Sequence, residues 1–346
     1  MTSLATNFNN PVLYVPGKVL PNPNNEENVL AQAMDVSHDG QRCVTAWRHK
    51  DQMGLYNLLD GQEITVSSRN LLGANHVRFV HSNTVVATAA RTGTGIHRRL
   101  SIFNFHDNKQ VRQFPGHGAN ISSLNCHPYV DMIMSAGDDK RVCLWDLRES
   151  TNRPLKQIIL RGCTSPCANF DPKGVAFAIA SSESKGSSIS LFDIRKVADG
   201  AFDTFAIDAL SEKGFHDIHF SPDGKKICVT QIQDGGKAPH WLLDSFTGRL
   251  VGSLTEHHVS DAELSDMKKG SYSGPMYTSF SPDSNYMVGG SLDGTLRIWS
   301  IQDDKCAQVG RWFAGRRAQP VGPVIWNPVY NSVVSSNNNV TIWQPV

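Results

Sequence analysis

Short apolar runs broken by polar turns recur along the whole chain, and they predict strands. In the clearest stretch the runs are Ile121–Cys126, residues 132–135 and residues 142–144. His127-Pro128 separates the first two and Asp138-Asp139 the last two; Gly116-His117 precedes the unit and Trp145-Asp146 closes it. The order is strand, turn, strand, tight polar turn, strand. A second copy runs from Tyr277-Thr278-Ser279-Phe280 through Ser281-Pro282-Asp283 to Asp293 and Arg297-Ile298-Trp299.

These two units have the form of a WD40 repeat, and weaker copies extend the pattern over the chain. The large residue that closes the third strand serves as a ruler. It falls at Tyr56, Phe103, Trp145, Phe192, Leu243, Trp299 and Trp343, at intervals of 47, 42, 47, 51, 56 and 44 residues. A four-stranded propeller blade takes roughly 40–45. A second ruler agrees, because a Pro, Gly, Asp or Asn turn follows the first strand of each copy, from Ser37-His38-Asp39-Gly40 to Asn327-Pro328. The fold expected is all-β, a seven-bladed WD40 β-propeller, with residues 1–10 as a tail and 11–346 as one domain. The chain stops just after the third strand of the seventh copy. The strand-like run at residues 12–20 is therefore expected to close the ring, removing two sheet edges at once.

Within the third copy, His117, Ser135, Asp139 and Trp145 are expected to share a buried hydrogen-bond chain. Asp293 stands at the same offset before Trp299 in the sixth. The other copies carry Lys50, His97, Gly186, Lys237 and Asn337 there, so those blades are expected to depend more on packing.

Composition then narrows the function. With 33 basic and 32 acidic residues, a dedicated nucleic-acid or membrane-surface protein is not expected. No apolar run approaches a membrane span, and the first ten residues have neither the charge nor the apolar stretch of a secretory signal. Seven scattered cysteines, several inside apolar runs, read as reduced core thiols in an intracellular compartment.

No chemistry of an enzyme assembles. Thr92-Gly93-Thr94-Gly95 lacks the helix and the Lys-Ser/Thr of a phosphate loop. Cys163 and Cys167 have no second pair at zinc spacing. His216 and His219 fall on opposite faces of a strand, and Gly290-Ser291-Leu292-Asp293-Gly294 is a blade turn, not a nucleophile elbow. No cofactor, metal site or catalytic residue is expected.

The loops offer binding surfaces instead. On the His117 end of the ring the sequence puts Arg48, Lys50, Arg91, Arg98, Arg99, Lys140, Arg141, Arg161, Arg316 and Arg317; the opposite turns hold Asp39, Asp60, Asp107, Asp131, Asp171, Asp199, Asp223, Asp283, Asp303 and Asp304. Two readings stand: a basic end suited to acidic or phosphorylated peptide, or ordinary mixed surface charge. Trp145-Asp146-Leu147-Arg148 and Phe192-Asp193-Ile194-Arg195 also fit the W-D-x-R pattern of cullin-type ubiquitin ligase substrate receptors, through Arg148 and Arg195. The alternative is that Asp and Arg there simply finish the strand and its turn.

More specific stretches resemble the family of WD repeat-containing protein 82, the Swd-type subunit of COMPASS. They include His81-Ser82-Asn83-Thr84-Val85-Val86, His106-Asp107-Asn108-Lys109, Phe114-Pro115-Gly116-His117, Phe202-Asp203-Thr204-Phe205 and the closing Ile342-Trp343-Gln344-Pro345. The resemblance covers the chain from about Tyr14. It implies a nuclear, non-catalytic scaffold. Such a subunit joins a histone H3 lysine 4 methyltransferase complex of COMPASS type, or a protein phosphatase 1 termination complex, to RNA polymerase II and its phosphorylated tail. Two departures stand out: the Glu256–Gly274 insertion before the sixth blade and the basic Arg91–Arg99 loop.

Overall fold

The computed structural model describes residues 14–22, 29, 31–47, 52–67, 74–90, 100–151, 153–183, 186–207, 214–231, 240–254, 278–291, 294–313 and 321–346. Their strands form seven four-stranded antiparallel sheets, each a blade of one β-propeller. Six blades use four consecutive strands, within residues 31–66, 74–114, 121–159, 164–207, 215–254 and 278–313. The seventh takes Val324–Trp326, Val333–Ser336 and Asn339–Pro345 and completes itself with the N-terminal strand Tyr14–Pro21. Among the described residues the only helical pieces are two 3₁₀ turns, Val197–Asp199 and Gln302–Asp304.

Burial falls from the inside of each blade outward. Second strands such as Arg42–Trp47 are buried almost throughout, while fourth strands such as Lys156–Ile159 are mostly exposed. Period-two side chains explain this: inner strands pack a neighbouring blade on both faces, whereas the outer strand forms the rim.

The ruler residues share one place in the ladder. Cys43 pairs with Tyr56, Val86 with Phe103, Ile133 with Trp145 and Phe177 with Phe192; Ile227–Leu243, Met287–Trp299 and Val333–Trp343 follow suit. Each then packs into the apolar cluster shared with the preceding blade. Phe103 meets Val44 and Leu55 of blade 1, Trp145 meets Ala87 and Leu100 of blade 2, and Tyr56 meets Val334 and Ile342 of blade 7. Seven such clusters occupy the seven interfaces. The core is therefore a ring of equal contacts, which is why an aromatic or large aliphatic residue returns once per repeat.

The closing strand behaves differently from expectation in one respect. It pairs with the C-terminal strand from Tyr14 opposite Pro345 to Pro21 opposite Asn339, but it becomes the outermost strand of its blade. An outer edge remains, as in the other six blades. What the pairing does is tie the two ends of the chain. The rim edge is blunted by Pro16 and Lys18 at a break in register, a usual protection for exposed strands.

Candidate functional site

The first strand of every blade lines the axis, so its inner edge would leave backbone N–H and C=O groups unpaired. The chain meets this with side chains borrowed from the preceding blade. Asp35, Arg78, Asn125, Asn169, His219, Ser279 and Ile325 hold equivalent positions, each one residue before the ladder partner of the second strand's first core residue. They surround an axial space of about 280 Å³.

Six of the seven reach toward the next blade. Phe79 N donates to Asp35 Oδ2 at 2.7 Å, and Trp326 N donates to Ser279 Oγ at 2.9 Å. Asn125 Nδ2 donates to Ala168 O at 2.7 Å, and Asn169 Nδ2 to Ile218 O at 2.9 Å. Arg78 Nε donates to Asn125 Oδ1 at 3.3 Å, and His219 Nε2 stands 3.4 Å from Thr278 Oγ1. Only Ile325, at the seam between blades 7 and 1, has no polar atom to offer; there Asn327 Nδ2 donates to Gly40 O at 2.8 Å from the turn below. An unsatisfied buried amide costs about 1–3 kcal/mol, so these links stabilise the ring rather than await a ligand.

The channel also gathers charge that strand-by-strand reading misses. Asp35 is half-buried, and desolvation raises its carboxyl above the ordinary range despite nearby Arg78. Burial pushes Asp217 the same way, but His219, with Nδ1 at 3.4 Å, and other partners outweigh it and hold the carboxyl low. No group of three metal-ligating side chains occurs among the described residues. A usable signal was present: the next-to-last residue of each first strand is polar in six of seven repeats.

In blade 3 the polar chain is complete. Trp145 Nε1 donates to Ser135 Oγ at 2.9 Å, and Ser135 lies 2.8 Å from His117 Nε2. His117 Nδ1, 3.0 Å from Asp139 Oδ1, donates to that carboxylate, which leaves Nε2 to accept the serine proton. Gly118 N also donates to Asp139 Oδ2 at 2.8 Å. Burial raises the Asp139 carboxyl, but the bonds from His117 and Gly118 outweigh it and keep it below the usual range. Gly137 is required here, because a Cβ would stand 2.7 Å from His117 Nδ1.

Elsewhere the chain survives in part. Trp343 Nε1 donates to Ser335 Oγ at 2.9 Å, whereas in blade 6 Gly289, two residues on from the ladder partner of Trp299, stands where that serine would be; Asp293 lies outside the described residues. Blade 7 thus keeps the indole–hydroxyl half beside the packing on which such blades are expected to depend more. Trp145→Phe should lower stability by about 2 kcal/mol through the lost donor and the space left behind, read from urea unfolding.

The two ends of the ring differ in what can be placed. Lys140, Arg141 and Arg161 lie together at the His117 end of blade 3, beside Asp138, which accepts from Ser165 Oγ at 3.0 Å. Arg48, Lys50, Arg91, Arg98, Arg99, Arg316 and Arg317, with the Glu256–Gly274 insertion, lie outside the described residues. At the opposite end the aspartates are largely turn builders. Asp171 Oδ1 accepts from Val175 N and Ala176 N at 2.8 Å, while Asp39 and Asp223 each take a serine hydroxyl at 2.6 Å and a backbone N–H. Their recurrence follows from turn chemistry.

Arg148 and Arg195 sit at this end too. Arg148 folds onto Asp146 with Nε–Oδ1 at 3.0 Å and Nη2–Oδ2 at 2.7 Å; Arg195 does the same to Asp193 at 3.2 and 3.1 Å. In both, the backbone N–H closes the turn onto the same carboxylate at 2.9 Å. The W-D-x-R spacing thus locks a turn. The seven cysteines are free thiols; burial raises Cys43, Cys126 and Cys143 to about 12, so they remain protonated.

Comparison with known proteins places this geometry. The model of the WD domain, G-beta repeat, matches residues 108–146 and 248–300. WD repeat-containing protein 82 of Drosophila melanogaster is 31% identical over 314 residues, covering 90% of each chain. COMPASS component SWD2 of Saccharomyces cerevisiae is 25% identical over 315 residues, 90% of this chain and 89% of that one. Set1 complex component swd2 of Schizosaccharomyces pombe is 27% identical over 250 residues, 72% and 65% respectively. With seven blades, the terminal strand exchange and this end-to-end likeness, the chain belongs to the WD repeat-containing protein 82 and Swd2 family.

Proposed function

We propose that this chain is a non-catalytic scaffold subunit of a Set1/COMPASS-type complex in the nucleus, serving histone H3 lysine 4 methylation. The observation that carries the reading is the likeness to WD repeat-containing protein 82 and COMPASS component SWD2 over 90% of the chain. The fold suits the task. Stitched blades hold the described turns, such as those built on Asp39, Asp171 and Asp223, on a fixed frame, so binding there costs little ordering entropy. The two ends of the ring then offer separate surfaces for separate partners.

A finer reading follows from the family resemblance. The subunit also serves a protein phosphatase 1 termination complex and couples either assembly to RNA polymerase II. In this reading the cations Lys140, Arg141 and Arg161, joined by Arg48, Lys50, Arg91, Arg98, Arg99, Arg316 and Arg317, receive the phosphorylated polymerase tail. Affinity purification of the tagged full chain from its own cells, followed by mass spectrometry, tests both levels. Recovery of a Set1-type methyltransferase supports the scaffold role, and phosphatase and polymerase subunits support the finer one. A nuclear-free distribution with none of the three would refute it.

A further inference from the structure

Between blades 4 and 5, at the end of the ring opposite His117, lies an apolar groove of about 320 Å³. Leu191 and Phe220 line it, and Val175, Phe202 and Phe246 stand at its lip, 51%, 62% and 74% exposed. Burying a phenylalanine side chain is favourable, so two left in water forgo a substantial gain.

The turn itself does not call for phenylalanine. Phe246 N donates to Asp244 Oδ1 at 3.0 Å. The same bond, from a backbone N–H to the side-chain oxygen two residues earlier, is made by Leu59, His106, Arg148 and Arg195 in other blades. Only the backbone is specified there, and blade 5 alone among these turns presents an aromatic ring of phenylalanine.

Both rings are held on pinned backbone. Asp244 Oδ1 also accepts from Thr247 N and Thr247 Oγ1 at 2.8 Å, and Phe202 N donates to Leu191 O at 2.8 Å. A surface so fixed loses little freedom on binding. Its charge selects the partner. Asp171, Asp203 and Asp223 line the groove against one ammonium, Lys173; Lys225, outside the lining, approaches Asp223 at 3.9 Å.

We propose that this groove docks a short extended peptide of a partner protein that offers a bulky aliphatic or aromatic side chain beside lysine or arginine. The apolar side chain fills the space between Phe202 and Phe246, and the cations face the aspartates. This holds whichever complex the chain enters.

The test uses fluorescence anisotropy with the full chain and a labelled peptide, Lys-Arg-Leu-Phe-Arg-Lys. Two controls carry Ser-Ser in place of Leu-Phe, or Glu and Asp in place of the four cations. The first peptide should bind at least roughly tenfold more tightly than either control. Phe202→Ser with Phe246→Ser should weaken it by about tenfold or more, and Asp203→Lys by about threefold. Phe246→Arg, which writes in the residue type found at Arg148 and Arg195, provides a second variant compatible with the turn and should weaken binding likewise. Failure of the first peptide to bind, equal binding of the acidic control, or binding unmoved by Phe246→Arg would each overturn the proposal. Preference for the acidic control would instead mark a phosphopeptide or nucleic-acid surface.

Discussion

Deleting residues 1–21 is expected to cost on the order of 6 kcal/mol and to leave a chain that associates. The deletion strips the strand Tyr14–Pro21 from Asn339–Pro345 and exposes that strand's edge. Tyr14 is buried, stacks on Trp312 at 4.9 Å and meets Trp326 edge-on at 6.1 Å. Leu20 fills the cluster that joins blade 7 to blade 1. Two buried side chains at about 1.5–3 kcal/mol each, with the lost ladder bonds, make up the total. A domain typically has only about 5–15 kcal/mol in hand. The freed edge carries Val340, Ile342 and Trp343, apolar residues that invite pairing with a second copy. Thermal unfolding should fall by about 10 °C or more, and light scattering should show oligomers. A synthetic strand of residues 11–21 added in trans should restore the monomer. A truncated chain that stays monomeric with an unchanged melting point would show that the ring closes without its terminal strand.

Acidification should destabilise the ring chiefly through two buried imidazoles. Burial pushes His76 down to about 4 and His240 down to about 3, below the ordinary imidazole value of 6.5. As pH falls below 6.5 the unfolded chain takes up these protons while the folded chain refuses them. Their stabilisation is therefore full above that value and is lost progressively toward the folded ones. By about pH 4.5 the two together remove on the order of 5 kcal/mol. Asp35 acts oppositely, since burial makes the folded chain bind its proton first, and it offsets part of the loss. Asp139 and Asp217, both held low, add destabilisation only in the more acidic range where they protonate. The urea midpoint should fall between neutral pH and about pH 4.5, and His76→Asn with His240→Asn should reduce that fall by about half. A midpoint independent of pH would mean that water or an unfolding-like opening reaches both rings.

The repeat itself was legible because it is written locally. A strand needs alternation, a turn needs Pro, Gly, Asp or Asn, and one large residue must fill each blade interface. Tyr56, Phe103, Trp145, Phe192, Leu243, Trp299 and Trp343 therefore keep their spacing even where the polar tetrad is gone. The turn ruler worked for the same reason, but its aspartates also read as the acidic pole of a charge-polarised ring when much of their work is to hold backbone N–H groups. Arg148 and Arg195 show the same ambiguity: their spacing fits a partner motif, and their geometry closes a turn.

What the amino-acid order alone determined is the blade count, the placement of the turns, the core position in each repeat and the strand that unites the two ends. Only the tertiary structure decided that Asp35, Arg78, Asn125, Asn169, His219 and Ser279 form links around one axis, and that Phe202 and Phe246 share a groove. The reason is physical. Secondary structure and repeat packing depend on neighbours within a few residues or one repeat away, which a pattern can record. Links between blades join side chains and backbone some 45 residues apart, such as Asp35 with Phe79, and their partners are set by how closed strands face each other.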